Sequence, residues 1–157
     1  MMKKENMYSK PLLQKGLGSI ESHVFSYDIQ TLVANMKKNH SWKKGELNAM
    51  VLLKNPEKHI VLTLLRRGTE ILSHQSNDSV SFHVIEGKLK FHSENEKVTI
   101  DQGMMLTLHE NIKYKLKSNA DTAFLLTTSN SLTDTDSVKH KSANSYLIDL
   151  LARSNMN

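Results

Sequence analysis

Residues 80–92 read VSFHVIEGKLKFH, and this stretch decides the fold class. On either side of Glu86-Gly87, apolar side chains occupy every second position, and Ser, His or Lys stands between them. A period of two predicts strands with one buried face, here residues 80–85 and 88–92. Because Glu86-Gly87 is typical of a tight turn, the stretch predicts a β-hairpin.

Outward from this hairpin, short apolar runs alternate with clusters of turn residues. The runs include Leu47–Leu53, Ile60–Leu65, Met104–Leu108, Ile112–Leu116 and Ala123–Thr127, and the turns include Asn55-Pro56 and Asn77-Asp78-Ser79. A further short strand is expected at residues 22–26. In all we expect about eight strands at intervals of about ten residues, which is typical of an all-β sandwich or barrel.

Residues 29–39 have the period of a helix, with Asp28 as the expected N-cap and lysines at the end. The apolar stripe consists of Ile29, Leu32, Val33 and Met36. Ile60–Leu65 is apolar on both parities apart from Thr63, and a barrel covers only the inner face of a strand. Its outer face must therefore be covered by a partner chain or by this helix, and we expect a homodimer.

The chain of 157 residues predicts one domain, which we divide by composition. Residues 1–19 are expected to form a disordered basic arm, 20–45 a strand and helix that lead in, and 46–128 the barrel. Residues 129–157 are expected to form a polar linker and a C-terminal helix at 145–152. The whole formal charge of +5 lies ahead of residue 46, since residues 46–128 carry 10 basic and 10 acidic side chains. We interpret the basic arm as a solvated tail, so no nucleic-acid partner is expected.

Composition excludes several classes of function. The chain has no cysteine, which excludes disulfides, thiolate metal sites and thiol nucleophiles. It has no apolar run of the roughly 20 residues that a membrane span needs, and the first residues lack the apolar core of a secretory signal. We therefore expect a cytoplasmic protein without a membrane partner. There is no phosphate-binding glycine loop, nucleophile elbow or His-Glu-x-x-His motif.

Residues 46–128 resemble a small single-domain cupin. The resemblance rests on GTEILSH (68–74) and VSFHVIEGKL (80–89), followed by DQGMMLTL (101–108) and DTAFLLT (121–127). The helix at 29–39, Trp42 and Gly45 also resemble the lead-in of small bacterial cupins. The resemblance implies a double-stranded β-helix, or jelly-roll barrel, with a short N-terminal helix and a C-terminal helix.

The cupin motifs are degenerate at the positions that hold metal ligands in the family. His74 is kept, whereas Ser76 stands where a second His is usual, Val80 where Glu is usual, and Tyr114 where the last His is usual. One imidazole does not hold a divalent ion against water, so we expect no metal and no cofactor. The resemblance still implies an open barrel mouth, with His74, Ser76, Phe82 and Tyr114 as candidate ligand-binding residues.

Three functions remain open. The first is a metal-free cupin that binds or senses a small organic ligand in the barrel mouth. The second is an enzyme, either with a metal on an unusual set of His74 with His83, His92 or His109, or with His74 and Tyr114 as acid and base. His83 and His92 are possible cross-strand neighbours in the predicted hairpin. The third is an interaction module that acts through the arm or the C-terminal helix. We favour the first, and catalytic residues are not assigned.

Overall fold

The computed structural model describes residues 24–45, 47–72 and 78–130. These residues form two helices, α1 (Ile29–Lys38) and α2 (His40–Lys44). They also form nine strands: β1 (Leu47–Lys54), β2 (Lys58–Leu65), β3 (Glu70–Leu72), β4 (Asp78–Glu86), β5 (Lys88–Ser93), β6 (Lys97–Asp101), β7 (Met105–Leu108), β8 (Tyr114–Ser118) and β9 (Thr122–Asn130). Neither described helix is long and apolar enough to cross a membrane.

The strands form two antiparallel sheets that enclose one core, so the prediction of an all-β barrel is confirmed. The large sheet has the order β1-β2-β9-β4-β7, and the small sheet has the order β3-β8-β5-β6. Both sheets contribute their inward side chains to the core. The fully buried members include Val61, Phe82 and Val84 from the large sheet and Leu89, Phe91 and Leu116 from the small sheet.

Helix α1 begins as the sequence predicts. The Asp28 carboxylate accepts hydrogen bonds from the backbone N–H of Thr31 at 3.1 Å and from the Thr31 hydroxyl at 2.8 Å. These hydrogen bonds lower the pKa of Asp28 because they stabilise its charged form. The side chain therefore satisfies a backbone N–H that the first turn of the helix leaves unpaired.

The apolar stripe of α1 covers the outer face of the large sheet. Leu32, Val33 and Met36 are buried against Leu62 and Leu64, which point outward from β2. Beside them Tyr27 donates a hydrogen bond from its hydroxyl to the Leu52 carbonyl at 2.8 Å, and burial raises the pKa of this phenol. The helix thus covers the outward apolar side chains of β2. The homodimer stays a prediction.

The predicted hairpin at Glu86-Gly87 is wrong. β4 pairs with β7 and β9, whereas β5 pairs with β6 and β8, so the chain crosses from the large sheet to the small one at Gly87. Gly87 has φ 89°, and a Cβ there would lie 2.5 Å from the Asp121 carbonyl oxygen. The glycine is required by this close crossing of two chains, which a local turn signal cannot distinguish from a hairpin.

Several boundaries also differ from the prediction. Residues 24–26 form no strand, and Asp78 and Ser79 belong to β4 instead of a turn. Strand β8 begins two residues later than predicted, and β9 continues past Ser129 to Asn130. The expected basic arm (1–19) and the C-terminal helix (145–152) lie outside the described residues.

Candidate ligand-binding site at the end of the barrel

Four aromatic rings meet inside the barrel and link its two sheets. The ring of Phe82 on β4 contacts the ring of Tyr114 on β8 edge to face, with 5.4 Å between their centroids. Phe82 also lies 6.1 Å from Phe124 on β9, and Tyr114 lies 5.7 Å from Phe91 on β5. The two edge-to-face contacts of Phe82 stabilise beyond the area that they bury. They also fix the orientation of the Tyr114 ring.

A cavity of about 910 Å³ opens beside this cluster, at the end of the barrel. Its apolar wall is formed by Leu72, Phe91, Leu108, Ile112 and Tyr114. Its polar and charged lining comes mainly from the β5–β6 turn and from the β7–β8 connection and start of β8: His92, Ser93, Glu94, Asn95, Glu96, Asn111, Lys113 and Lys115. An apolar wall with a few polar groups is typical of a small-molecule site, and the volume lies within the usual range.

Two tight connections shape the rim of this cavity. The β5–β6 turn is closed by the Ser93 N–H, which donates to the Glu96 carbonyl at 2.8 Å, and by the Glu96 N–H, which donates to the Ser93 hydroxyl at 3.2 Å. In the β7–β8 connection Asn111 has φ 65°, a conformation that asparagine tolerates better than most residues. Hydrogen bonds within the β5–β6 turn and the positive φ of Asn111 therefore shape the two connections at the rim.

Comparison with known proteins identifies the fold. No protein-family model matches the chain, and no curated protein matches it. Among solved structures, an RmlC-like cupin from Shewanella frigidimarina is 19% identical over 57% of this chain and 81% of that chain, with a TM-score of 0.52. A cupin superfamily protein from Desulfitobacterium hafniense is 12% identical over 54% and 78%, also with a TM-score of 0.52. The chain has the cupin fold.

A longer protein with a similar fold has a stated activity. A salicylate 1,2-dioxygenase variant from Pseudoaminobacter salicylatoxidans is 13% identical, covers 77% of this chain and has a TM-score of 0.60. The present chain spans only 41% of that protein. At this identity the likeness concerns the fold, so the dioxygenase activity is a property of that protein alone.

The structure brings together two of the four predicted site residues. Phe82 is fully buried in the core, and Tyr114 is 4% exposed and lines the cavity. Phe82 supports the Tyr114 ring from behind and is not itself part of the cavity wall. His74 and Ser76 lie outside the described residues, so their role remains the one predicted from the sequence.

The donor set does not fit the metal that the cupin resemblance implies. Val80 and Tyr114 occupy two of the four ligand positions, and both side chains are buried in the core cluster. Val80 has no donor atom, and the Tyr114 phenol ring is packed between Phe82 and Phe91. No metal-dependent step is therefore derived for this chain.

The unusual histidine set has no support in the described part of the chain. His83 lies on β4 of the large sheet and His92 on β5 of the small sheet, so the predicted cross-strand neighbours are wrong. His92 lines the cavity, whereas His83 and His109 do not. Among residues 24–45, 47–72 and 78–130, no three His, Asp or Glu side chains are grouped closely enough to hold a metal.

Sequence reasoning missed most of the cavity lining. Phe91 was visible only as an alternating apolar residue, and nothing distinguished it from the rest of the core. Glu94, Asn95 and Asn111 lie in connections, where no periodicity indicates which way a side chain points. They could have been found only by knowing that the β5–β6 turn and the β7–β8 connection meet at one end of the barrel.

Proposed function

We propose that this cupin binds a small organic ligand, without a metal, in the cavity at the end of its barrel. The observation that carries the proposal is the cavity of about 910 Å³ beside the ring of Tyr114. If the barrel had no role beyond folding, side chains would be expected to fill it and leave no cavity. Here Phe82 and Phe124 fill the interior, while Tyr114 and Phe91 leave an apolar wall facing the opening.

The apolar and the polar residues of the cavity lining have different roles in ligand recognition. Phe91, Ile112 and Leu108 supply apolar surface, which favours a ligand with a ring or a short hydrocarbon portion. The Tyr114 hydroxyl and the amide of Asn111 supply directional hydrogen bonds that orient the ligand. The cupin resemblance predicts further polar contacts from His74 and Ser76. Nothing in this set requires catalysis.

A pair of matched tyrosine variants tests the proposal. Full-length protein is treated with a chelator and screened by thermal shift against a panel of small organic compounds. A ligand at a hundredfold excess over its Kd stabilises the folded state by about 2.7 kcal/mol, which raises Tm by several degrees. Tyr114→Phe keeps the ring contacts and removes one hydroxyl, so we expect the ligand to bind about tenfold more weakly.

Tyr27→Phe is the control, because it removes a hydroxyl that bonds to Leu52 on the outside of the barrel. We expect this variant to keep the affinity of the unaltered protein for the ligand. The proposal is contradicted if no compound raises Tm, or if binding appears only after a metal is added. It is also contradicted if Tyr27→Phe weakens binding as much as Tyr114→Phe does.

A further inference from the structure

Five lysines and one histidine that are far apart in the sequence lie together on the outward face of the small sheet. Strand alternation places Lys88, Lys90 and His92 of β5, Lys97 of β6, and Lys115 and Lys117 of β8 on this face. We call these six residues the lysine face. The acidic side chains that the register places among them are Glu70 and Asp101. The barrel has equal numbers of basic and acidic residues, so folding separates charge that the sequence balances.

Two lysines lie directly opposite each other on this face, because Lys90 is in register with Lys117. Like charges directly across a sheet are destabilising. The described acidic groups relieve only part of the repulsion.

The ion pairs of the face lie toward its margins. Glu70 on the edge strand β3 is shared by Lys117 at 3.5 Å and Lys115 at 3.9 Å, and Lys88 pairs with Asp101 at 3.3 Å. Within the described residues, Lys90 and Lys97 have no ion pair. The face therefore keeps an excess of positive charge.

Protection of a sheet edge does not explain this arrangement. Lysines are commonly placed on edge strands to prevent pairing with other chains. Here β5 and β8 are the two central strands of the small sheet, and both of their edges are already paired. A repulsive cluster on central strands is explained more directly by an anionic partner that offsets the repulsion when it binds.

We propose that the lysine face binds the phosphate backbone of double-stranded nucleic acid without sequence preference. Binding of this kind rests almost entirely on contacts between lysines and phosphates. Proteins that bind single strands also stack bases on aromatic rings, and the outward positions of this face include no Phe, Tyr or Trp. A membrane surface is less favoured because Leu72 is the one large apolar side chain exposed there, and stable attachment needs a second apolar signal.

This proposal departs from the sequence-based expectation of no nucleic-acid partner. That expectation weighed the arm and the net charge of each segment, and neither quantity shows which lysines share a face. Two members of the lysine face, His92 and Lys115, also line the cavity, whereas Lys90 and Lys117 do not. Lys90 and Lys117 therefore test this proposal without altering the cavity lining.

Fluorescence anisotropy with full-length protein tests the proposal. The probes are two labelled 20-base-pair DNA duplexes of unrelated sequence and one single strand of the same length, measured between 50 and 200 mM salt. The test variant is Lys90→Gln with Lys117→Gln. The control is Lys54→Gln with Lys58→Gln, which removes the same charge from exposed positions at one end of the large sheet.

We expect both duplexes to bind equally, and more tightly than the single strand. The test variant should bind at least about tenfold more weakly at 50 mM salt, and the slope of log Kd against log salt should fall by about two, one for each lysine. The control should change the affinity by less than about twofold. Absence of duplex binding at 50 mM salt, or equal weakening in both variants, would overturn the proposal. So would tighter binding to the single strand, or binding to vesicles rich in anionic lipid in place of the duplex.

Discussion

The two sheets of this barrel share one core and differ in what lies outside them. The large sheet carries Leu62 and Leu64 on its outer face, where α1 covers them, so β2 is apolar on both sides. The small sheet carries lysines on its outer face, and no described helix packs there. The difference shows that one domain can hold a strand buried on both faces and a strand buried on one, each with its own sequence pattern.

The largest expected effect comes from a substitution that disrupts the packing of α1 on the large sheet. Leu32 is 5% exposed and packs between α1 and the outer face of β2. Leu32→Asp should lower the free energy of unfolding by about 3 kcal/mol or more, because it places a charge in a buried apolar site and removes packing. Urea unfolding measures this loss. Asn35→Asp adds the same charge on the exposed side of α1 and should change stability little; equal losses would mean that the helix does not dock as described.

The junction between the two sheets gives the next largest effect. Gly87→Ala should destabilise by about 2 kcal/mol or more, because alanine is strained at a positive φ and its Cβ would collide with the backbone of Asp121 and Thr122. Gly68 has φ 88° and nothing within 4 Å of an added Cβ. Gly68→Ala should therefore cost only the strain, about 1 kcal/mol. If the two variants unfold at the same urea concentration, the close crossing at Gly87 is not the constraint.

The start of α1 gives a smaller effect that depends on pH. Because its hydrogen bonds lower the pKa of Asp28 in the folded state, the stabilisation is present above the unfolded pKa and is lost as the pH falls through the folded pKa. Asp28→Ala should lower Tm modestly at pH 7. Thermal unfolding from pH 7 to pH 2 should show the difference between variant and unaltered protein shrinking in acid. A difference that grows in acid would contradict this role.

The smallest expected effect is a gain in stability, and it comes from a substitution on the small sheet. Lys90→Glu places a carboxylate opposite Lys117 and turns a repulsive pair into an attractive one. We expect the protein to be stabilised by about 0.5 kcal/mol, measured by urea unfolding at low salt, while duplex binding weakens. Lys54→Glu, at the far end of the large sheet, is the control and should not raise stability by this mechanism. A destabilised Lys90→Glu variant would show that the opposed lysines do not repel.

Much of the fold could be predicted because its signals are local. The Asp28 cap, the stripe of α1 and the alternation of β4 and β5 each follow from a few neighbouring residues. Strand pairing is not local: β4 and β5 have the same pattern on either side of Gly87, yet they belong to different sheets. The same limit applies to His83 and His92, which adjoin in the predicted hairpin and are separated in the fold.

The two described site residues that the sequence predicted both lie on strands. Tyr114 and Phe82 were placed at the barrel interior by the cupin resemblance, and the structure brings their rings together. The rim residues Glu94, Asn95 and Asn111 belong to connections without periodicity. The charge of the small sheet was hidden for a related reason: a net charge of zero over the barrel does not reveal that one face collects the lysines.

The central proposal is that this cupin-fold barrel binds a small ligand without a metal, because core residues occupy two of the four cupin ligand positions. Elemental analysis of full-length protein purified without an affinity tag tests this claim most directly. Because Val80 and Tyr114 are buried in the core at two of the four ligand positions, we expect well under one equivalent of manganese, iron, nickel, copper or zinc per chain. About one equivalent of metal, lost on His74→Ala, would contradict the account.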